Sequence, residues 1–331
     1  MRFLPKELTH INDSMQGWSR VLHGKKFIYR DEKGKVIRDS KKLNRIRKLA
    51  IPPAYTEVWI CPSPHGYIQC TARDQKGRKQ YKYHPRWQAH RIKRKFLRLL
   101  KFGRLLSALR QKVEHDLSRR NICQASVTAV IVRLLDRTAL RIGNDDYAQK
   151  NGSYGLSTLE DRHVQIYGDK ITFHFRGKSG VMHTVICEDR KASRIIQQCQ
   201  DIPGSRLFQY IDNNGEVHAV HSNHVNGYIR AIVGTRLTAK DFRTWKANIW
   251  TIDAIRKAYA SNNAANIKDI VQEVAKRLGN TCSVCRKFYI HPEIFSLLQG
   301  NFNGKSHSSK NATYVHSNEI EFLKFLETSI S

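Results

Sequence analysis

Apolar positions change their period along the chain's 331 residues. Over the first 85 residues the runs are short and β-favouring. Glu57-Val-Trp-Ile-Cys61 and Tyr67-Ile-Gln-Cys-Thr71 read as strands, and Pro62, Pro64 and Gly66 between them predict a hairpin. Gly77 marks another turn before Lys79-Gln-Tyr-Lys-Tyr83, where Tyr81 and Tyr83 share one face of a strand and Gln80 takes the other. From about residue 105 the period lengthens. Val127, Val130, Ile131, Leu134, Leu135 and Ile142 keep one face at helical spacing, with Ser126 as the expected N-cap. A three-strand meander interrupts at 163–167, 171–176 and 181–187, with turns at Gly168-Asp-Lys170 and Gly177-Lys-Ser-Gly180. Thr238 and Asp241 have the spacing of a capping box and open another helix, and Ile267, Ile270, Val271, Val274 and Leu278 define one that Gly279 stops. Residues 300–312, rich in Gly, Asn, Ser and Lys, predict a loop before a short helix at 318–327. The expected fold class is α+β. An N-terminal antiparallel β-sheet domain covers 1–85, and a larger mainly α-helical domain carrying a small β-meander covers 105–331.

Charge adds a partner to this picture. Lys and Arg number 58 against 28 Asp and Glu, a net charge of +30, which points to a polyanion such as DNA or RNA. Residues 86–104 hold eight Arg or Lys and no acid, and read as a basic helical linker and phosphate-binding strip. The plainer alternative is a solvated helix face, which the lack of counter-charges weakens. No apolar run is long enough to span a bilayer, since Arg133 breaks the stretch from Val127 to Leu135, and Met1 to Glu7 lacks a signal-peptide core. A cytoplasmic protein is expected, nucleoid-associated if bacterial. The seven cysteines are odd in number and scattered, so no disulfide framework is expected. Cys282 and Cys285 form a lone C-x-x-C without a second pair, and read as ordinary thiols on a helix rather than a zinc site.

Chemistry is narrowed first by what is missing. There is no P-loop, so no nucleotide is expected, and no compact carboxylate or His cluster recommends a two-metal nuclease. Metal-free work on a phosphodiester needs a side-chain nucleophile, cations for the developing charge and an acid for the leaving alkoxide. Arg141 sits at the end of an amphipathic run, where Gly143 lets the backbone leave the helix. Lys178 stands on a glycine-flanked turn, Arg243 lies early in a capped helix, and Tyr289 follows Arg286 and Lys287, cations that favour phenolate. Taken singly these are weak signals: Tyr289 also reads as an interface tyrosine, Lys178 as turn chemistry and Arg141 as a partner for Asp145.

Their order is more telling. Arg141-Ile-Gly-Asn-Asp-Asp-Tyr147, Asn151-Gly-Ser-Tyr-Gly-Leu-Ser-Thr-Leu159, Phe175-Arg-Gly-Lys-Ser-Gly180, Thr238-Ala-Lys-Asp-Phe-Arg-Thr-Trp245 and Cys285-Arg-Lys-Phe-Tyr-Ile-His-Pro292 follow one another along the chain. Ala50-Ile-Pro-Pro-Ala-Tyr55, Val58-Trp-Ile-Cys-Pro62 and Gly77-Arg-Lys-Gln-Tyr-Lys-Tyr-His-Pro-Arg-Trp87 precede them. From about residue 45 to 295 this set resembles the small type IB DNA topoisomerases of bacteria and poxviruses, and is closer to the bacterial branch. Trp245-Lys-Ala-Asn248 departs from the family's pattern.

The resemblance implies a role for each matched residue. Tyr289 attacks the scissile phosphorus to give a 3′-phosphotyrosyl link, Arg141 and Arg243 hold non-bridging oxygens, and Lys178 protonates the leaving 5′-oxygen. Asn280 falls where many relatives carry His and bacterial ones Asn; an amide transfers no proton at neutral pH, so its part is a hydrogen bond to phosphate. Gln80, Tyr81 and Tyr83 match a strand that touches bases in the major groove, with Arg78 and Lys79 on phosphates. Supercoil relaxation without ATP, metal or other cofactor follows, by a monomer whose two domains clamp duplex DNA. A tyrosine recombinase is the nearest rival, but such enzymes usually carry His three residues before the second Arg, where Lys240 stands here. A non-catalytic nucleic-acid-binding protein explains the charge but not the ordered Arg, Lys, Arg, Tyr set.

Overall fold

The computed structural model describes residues 4–234, 237–260, 266–298 and 316–330. The chain divides into two compact units, 1–95 and 96–331. The predicted loop at 300–312 lies outside the described residues.

The first unit is a five-stranded antiparallel sheet with one helix. Strands β1 (Trp18–His23) and β2 (Lys26–Arg30) form a hairpin, helix α1 (Ser40–Lys48) follows, and β3 (Thr56–Ile60), β4 (Ile68–Arg73) and β5 (Lys79–Tyr83) complete the order β2-β1-β3-β4-β5. The predicted hairpin is β3–β4, with Ile60 opposite Cys70. Trp18, Ile37, Ile46, Val58, Ile60, Cys70 and Ala72 make the core, so the sheet buries one face under α1. Asp39 caps α1 by accepting from the Lys42 amide at 2.8 Å.

Helix α2 (Pro85–Leu117) begins in the first unit and continues into the second, taking in the whole basic strip. The second unit is mainly helical. Helix α3 (Gln124–Thr138) buries most of its length, and α4 (Asp145–Asn151) follows Asn144 as N-cap. The meander is β6 (Val164–Tyr167), β7 (Lys170–Arg176) and β8 (Met182–Glu188), ordered as in the sequence. After α5 (Arg190–Gln200), β9 (Gln209–Ile211) and β10 (Val217–Ala219) form a small hairpin. Then come α6 (Ser222–Val233), α7 (Ala239–Ala260), α8 (Ile267–Leu278), α9 (Cys282–Phe288) and α10 (Ser317–Ile330).

Two local expectations shift. The N-cap of α3 is Cys123; Ser126 is instead its third helical residue, and its Oγ accepts from the Cys123 amide at 3.0 Å. The helix also stops earlier, at Thr138, where Ala139 adopts φ 53°. Ile142 and Arg141 therefore lie beyond it. The Thr238–Asp241 box is present, with Asp241 Oδ2 accepting from the Thr238 amide at 2.8 Å.

Helix α7 is the centre of the second unit. Phe242, Trp245, Ile252 and Ile255 are almost wholly buried. Gly103, in the interior of α2, is explained by this packing: a Cβ there would overlap the Trp245 ring. The helix accepts the propensity cost of glycine to bring α2 close to α7.

Candidate active site

Four of the predicted residues converge, each delivered by a different local device. Arg141 is carried by the irregular segment after α3. Gly143 there has φ 101°, and a Cβ on Gly155 would lie 2.5 Å from the Gly143 nitrogen. Two glycines thus let the segments 141–143 and 155–158 meet, and the Leu156 amide donates to the Arg141 carbonyl at 2.9 Å. This contact gives a physical reason for the two motifs to occur together. Asp145 does not pair with Arg141; it binds Arg206 at 2.6 Å and His221 at 3.0 Å. Arg141 donates instead to Asn280 Oδ1 at 2.6 Å.

Asn280 follows Gly279, the left-handed cap that ends α8. Its Nδ2 is buried and makes no hydrogen bond among the described residues. Arg243, on α7, is only 4% exposed. One terminal nitrogen donates to the Ala139 carbonyl and the other to the Leu278 carbonyl at 2.8 Å, while Nε is buried without a partner among the described residues.

Tyr289 is the residue at which α9 ends. Its ring lies 5.5 Å from the Arg243 guanidinium carbon. Its main chain is held by Asn248 of α7, which is fully buried: Nδ2 donates to the Tyr289 carbonyl at 3.0 Å, and Oδ1 accepts from the His291 amide at 2.7 Å. Asn248 lies in the stretch that departs from the family's pattern, and no periodicity or spacing pointed to it.

The electrostatics focus on the phenol. Burial pushes the Tyr289 pKa up, but the charge of Arg243 and its hydrogen bonding, then the charges of Arg141 and Lys240, bring it below the usual tyrosine value. Burial and the neighbouring Arg243 charge lower the Arg141 pKa, against a small opposing pull from Tyr289. Both guanidiniums remain cations at neutral pH. The cations that act on Tyr289 are thus distant in sequence. Arg286 and Lys287, its expected activators, face the rings of Phe295 and Phe288.

Lys178 is less closely tied. It is exposed on the turn between β7 and β8 and makes no hydrogen bond or ion pair among the described residues. Its turn nevertheless adjoins the group: the space where a Gly279 Cβ would sit is taken by the imidazole of His183, on β8.

Comparison with known proteins identifies the family. Residues 84–314 match the family model described as eukaryotic DNA topoisomerase I, catalytic core, and residues 26–74 match bacterial DNA topoisomerase IB, N-terminal domain. The chain belongs to the type IB DNA topoisomerases. DNA topoisomerase 1B of Acanthamoeba polyphaga mimivirus is 33% identical over 87% of this chain and 89% of its own length. DNA topoisomerase 1B of vaccinia virus, strain Copenhagen, is 20% identical over 68% of this chain and 71% of its own. A site-specific recombinase, XerH in a post-cleavage complex, aligns at TM-score 0.34 and 12% identity over 56% of this chain and 47% of its own, too faint a likeness to bear on the fold. Membership of the type IB family sets aside both the recombinase and the non-catalytic alternatives.

The remaining residues expected of a type IB enzyme lie in the first unit, on and beside β5. Tyr81 and Tyr83 stack at 5.9 Å with planes 8° apart, so they share a face as alternation requires. Tyr81 is 45% exposed. Gln80 donates to Asp74 Oδ2 at 3.0 Å, which also pairs with Arg78 at 2.8 Å. Lys79 pairs with Asp13. The two candidate phosphate ligands therefore already have carboxylate partners. Among the described residues no helix is long and apolar enough to cross a membrane.

Proposed function

We propose that this type IB topoisomerase relaxes supercoiled duplex DNA with Tyr289 as its nucleophile. The observation that carries the reading is the gathering of Arg141 and Arg243 beside one phenol whose pKa their charges help to lower, with Asn280 bonded to Arg141. The phenol oxygen attacks the scissile phosphorus, a P–O bond to tyrosine forms, and the bond to the 5′-oxygen breaks. Arg141 and Arg243 carry the charge that builds on the non-bridging oxygens, where preorganised donors are most effective. Two buried donors, Asn280 Nδ2 and Arg243 Nε, have no partner among the described residues, as suits groups reserved for an anion. Lys178 supplies the proton that the departing 5′-oxygen takes up.

The phosphotyrosine conserves the energy of the broken phosphodiester. The 5′-hydroxyl can therefore attack it and reseal the strand without ATP, after the free end has rotated. No step requires a metal. Gln80, Tyr81 and Tyr83 are assigned to base edges and Arg78 and Lys79 to phosphates, once they exchange their carboxylate partners for DNA. One duplex is held by a monomer through the domains read from sequence, 1–85 and 105–331, with 86–104 as a basic strip between them.

Incubation with supercoiled plasmid in EDTA, without nucleotide, tests the reading. Relaxation of both positive and negative supercoils is expected. Tyr289→Phe is expected to bind DNA but form no covalent adduct, because only the nucleophilic oxygen is lost. An absolute need for Mg²⁺, or an adduct in the Phe variant, overturns the assignment.

A further inference from the structure

The Lys178 turn and the Asn280 turn share a single side chain. Gly177 precedes Lys178 and Gly279 precedes Asn280. At both glycines the space that a Cβ would fill is occupied by the imidazole of His183: a Gly177 Cβ would lie 2.5 Å from its Cδ2, and a Gly279 Cβ would overlap its Cε1. The ring is also stacked on Phe175 at 5.4 Å, its partner across β7 and β8. His183 is thus a spacer wedged between two turns that approach it only because both are glycine. One of those turns holds the residue assigned as acid. The other holds the amide bonded to Arg141 and leads, through α9, to Tyr289.

We infer that His183 is a positioning residue, which sets the Lys178 amine against the leaving 5′-oxygen by holding its turn at a fixed distance from the Asn280 turn. The inference rests on the proposed role of Lys178. A spacer is needed because Lys178 has no anchoring contact among the described residues and stands on an exposed turn whose next residue, Ser179, has φ 65°. The end of β7 is tied to the Arg141 segment, where the Tyr154 amide donates to the Arg176 carbonyl at 2.8 Å, and beyond that point the wedged ring is what the turn rests on. Burial, followed by the charges of Arg141 and Arg243, lowers the His183 pKa, so the ring is neutral at neutral pH and adds no cation of its own. It acts through shape.

The test compares ordinary DNA with DNA carrying sulfur at the bridging 5′ position, in single-turnover cleavage by the full chain. A thiolate leaves without help from an acid, because thiol pKa values lie near 8.5. His183→Ala is expected to slow cleavage of ordinary DNA by about 10–10²-fold, the scale of a small misplacement of a reacting group. On the sulfur substrate it is expected to lie within about threefold of wild type, as is Lys178→Ala, since a group that works through the acid becomes dispensable with it. Gly177→Ala approaches the same contact from the other side. Its Cβ displaces the ring while His183 is retained, and it is expected to show the same pattern, which guards against a folding defect peculiar to one variant. Melting temperature and DNA affinity measured alongside report a merely structural role, which sulfur does not rescue. If sulfur rescues Lys178→Ala but neither of the other two, the positioning role is wrong and the acid stands. If sulfur fails to rescue Lys178→Ala, the acid assignment falls and the inference falls with it.

Discussion

Removing Arg141 is expected to raise the pKa of Tyr289, because its cation is one of three that offset the effect of burial on the phenol. A deprotonated nucleophile is then scarcer at a given pH, so the acid limb of the cleavage profile moves toward higher pH. Single-turnover adduct formation by Arg141→Ala across the pH range checks this; a lower rate with an unmoved limb means Arg141 acts on the phosphate alone. Asn248 allows a second prediction at this scale. It is fully buried and spends both its amide ends on the Tyr289 carbonyl and the His291 amide, so Asn248→Ala strands two backbone groups. A loss of about 1–3 kcal/mol in stability is expected. Cleavage is expected to fall by roughly 10–10²-fold as the nucleophile loses its fixed seat, with DNA affinity nearly unchanged. Unaltered cleavage in a destabilised variant refutes the link to Tyr289.

Among the elements, α10 is tied in most firmly by one charge. Glu319 is fully buried, where it accepts from Arg110 at 2.7 Å and from Trp245 Nε1 at 3.1 Å. Burial pushes its carboxyl pKa up, but Arg110 and Trp245 outweigh that and hold it at about 2. A depressed carboxylate pKa contributes stability that is present above the ordinary value and is lost as pH falls toward the folded one. Glu319→Gln is therefore expected to melt well below wild type at neutral pH, by the order of 3–5 kcal/mol typical of breaking a buried pair. The gap is expected to narrow as pH drops from about 4.5 toward 2. Thermal melts over that range decide it, and a constant gap excludes the charge as the cause. Gly103→Ala probes the other side of Trp245. An added methyl where α2 and α7 touch is expected to cost about 1–3 kcal/mol, despite alanine's better helix propensity.

At the scale of the whole molecule, a net charge of +30 makes binding a matter of displaced counterions. If six to ten phosphates are contacted, affinity is expected to fall about 10³–10⁵-fold between 50 and 200 mM salt. A shallow slope in a filter-binding titration means that most of the surplus charge faces away from DNA. What was legible beforehand divides along physical lines. Strands β3 to β5, the meander, α7 and α8 were readable because half-buried elements leave a period and their ends carry proline, glycine or capping residues. The β1–β2 hairpin did not stand out: Val21, Leu22 and Phe27 are exposed, so no clean alternation marks it. Helix α2 was legible as a basic helical strip over 86–104, but its continuation to Leu117 was not, because the packing of Gly103 against Trp245 leaves no mark in the sequence. The ordered Arg, Lys, Arg, Tyr set could be read from motifs, whereas Asn248 is 41 residues from Tyr289 and became visible only once the two were folded together. His183 belongs to the same class.

Arg243 is nearly buried and has no carboxylate partner among the described residues. Its two terminal nitrogens bind the carbonyl of Ala139, the cap of α3, and that of Leu278, the last residue of α8. Both are helix C-termini, where aligned peptide dipoles leave about half a negative charge. Two such ends supply roughly the compensation of one carboxylate, yet neither can take up a proton as pH falls. These two carbonyls offset much of the cation without a group that titrates in acid, and the Tyr289 phenol adds to them. The same two bonds also mean that one planar fork staples two helices together. Lysine, a single point charge, can serve one of those ends well but not both, so Arg243→Lys conserves the charge and loses the staple.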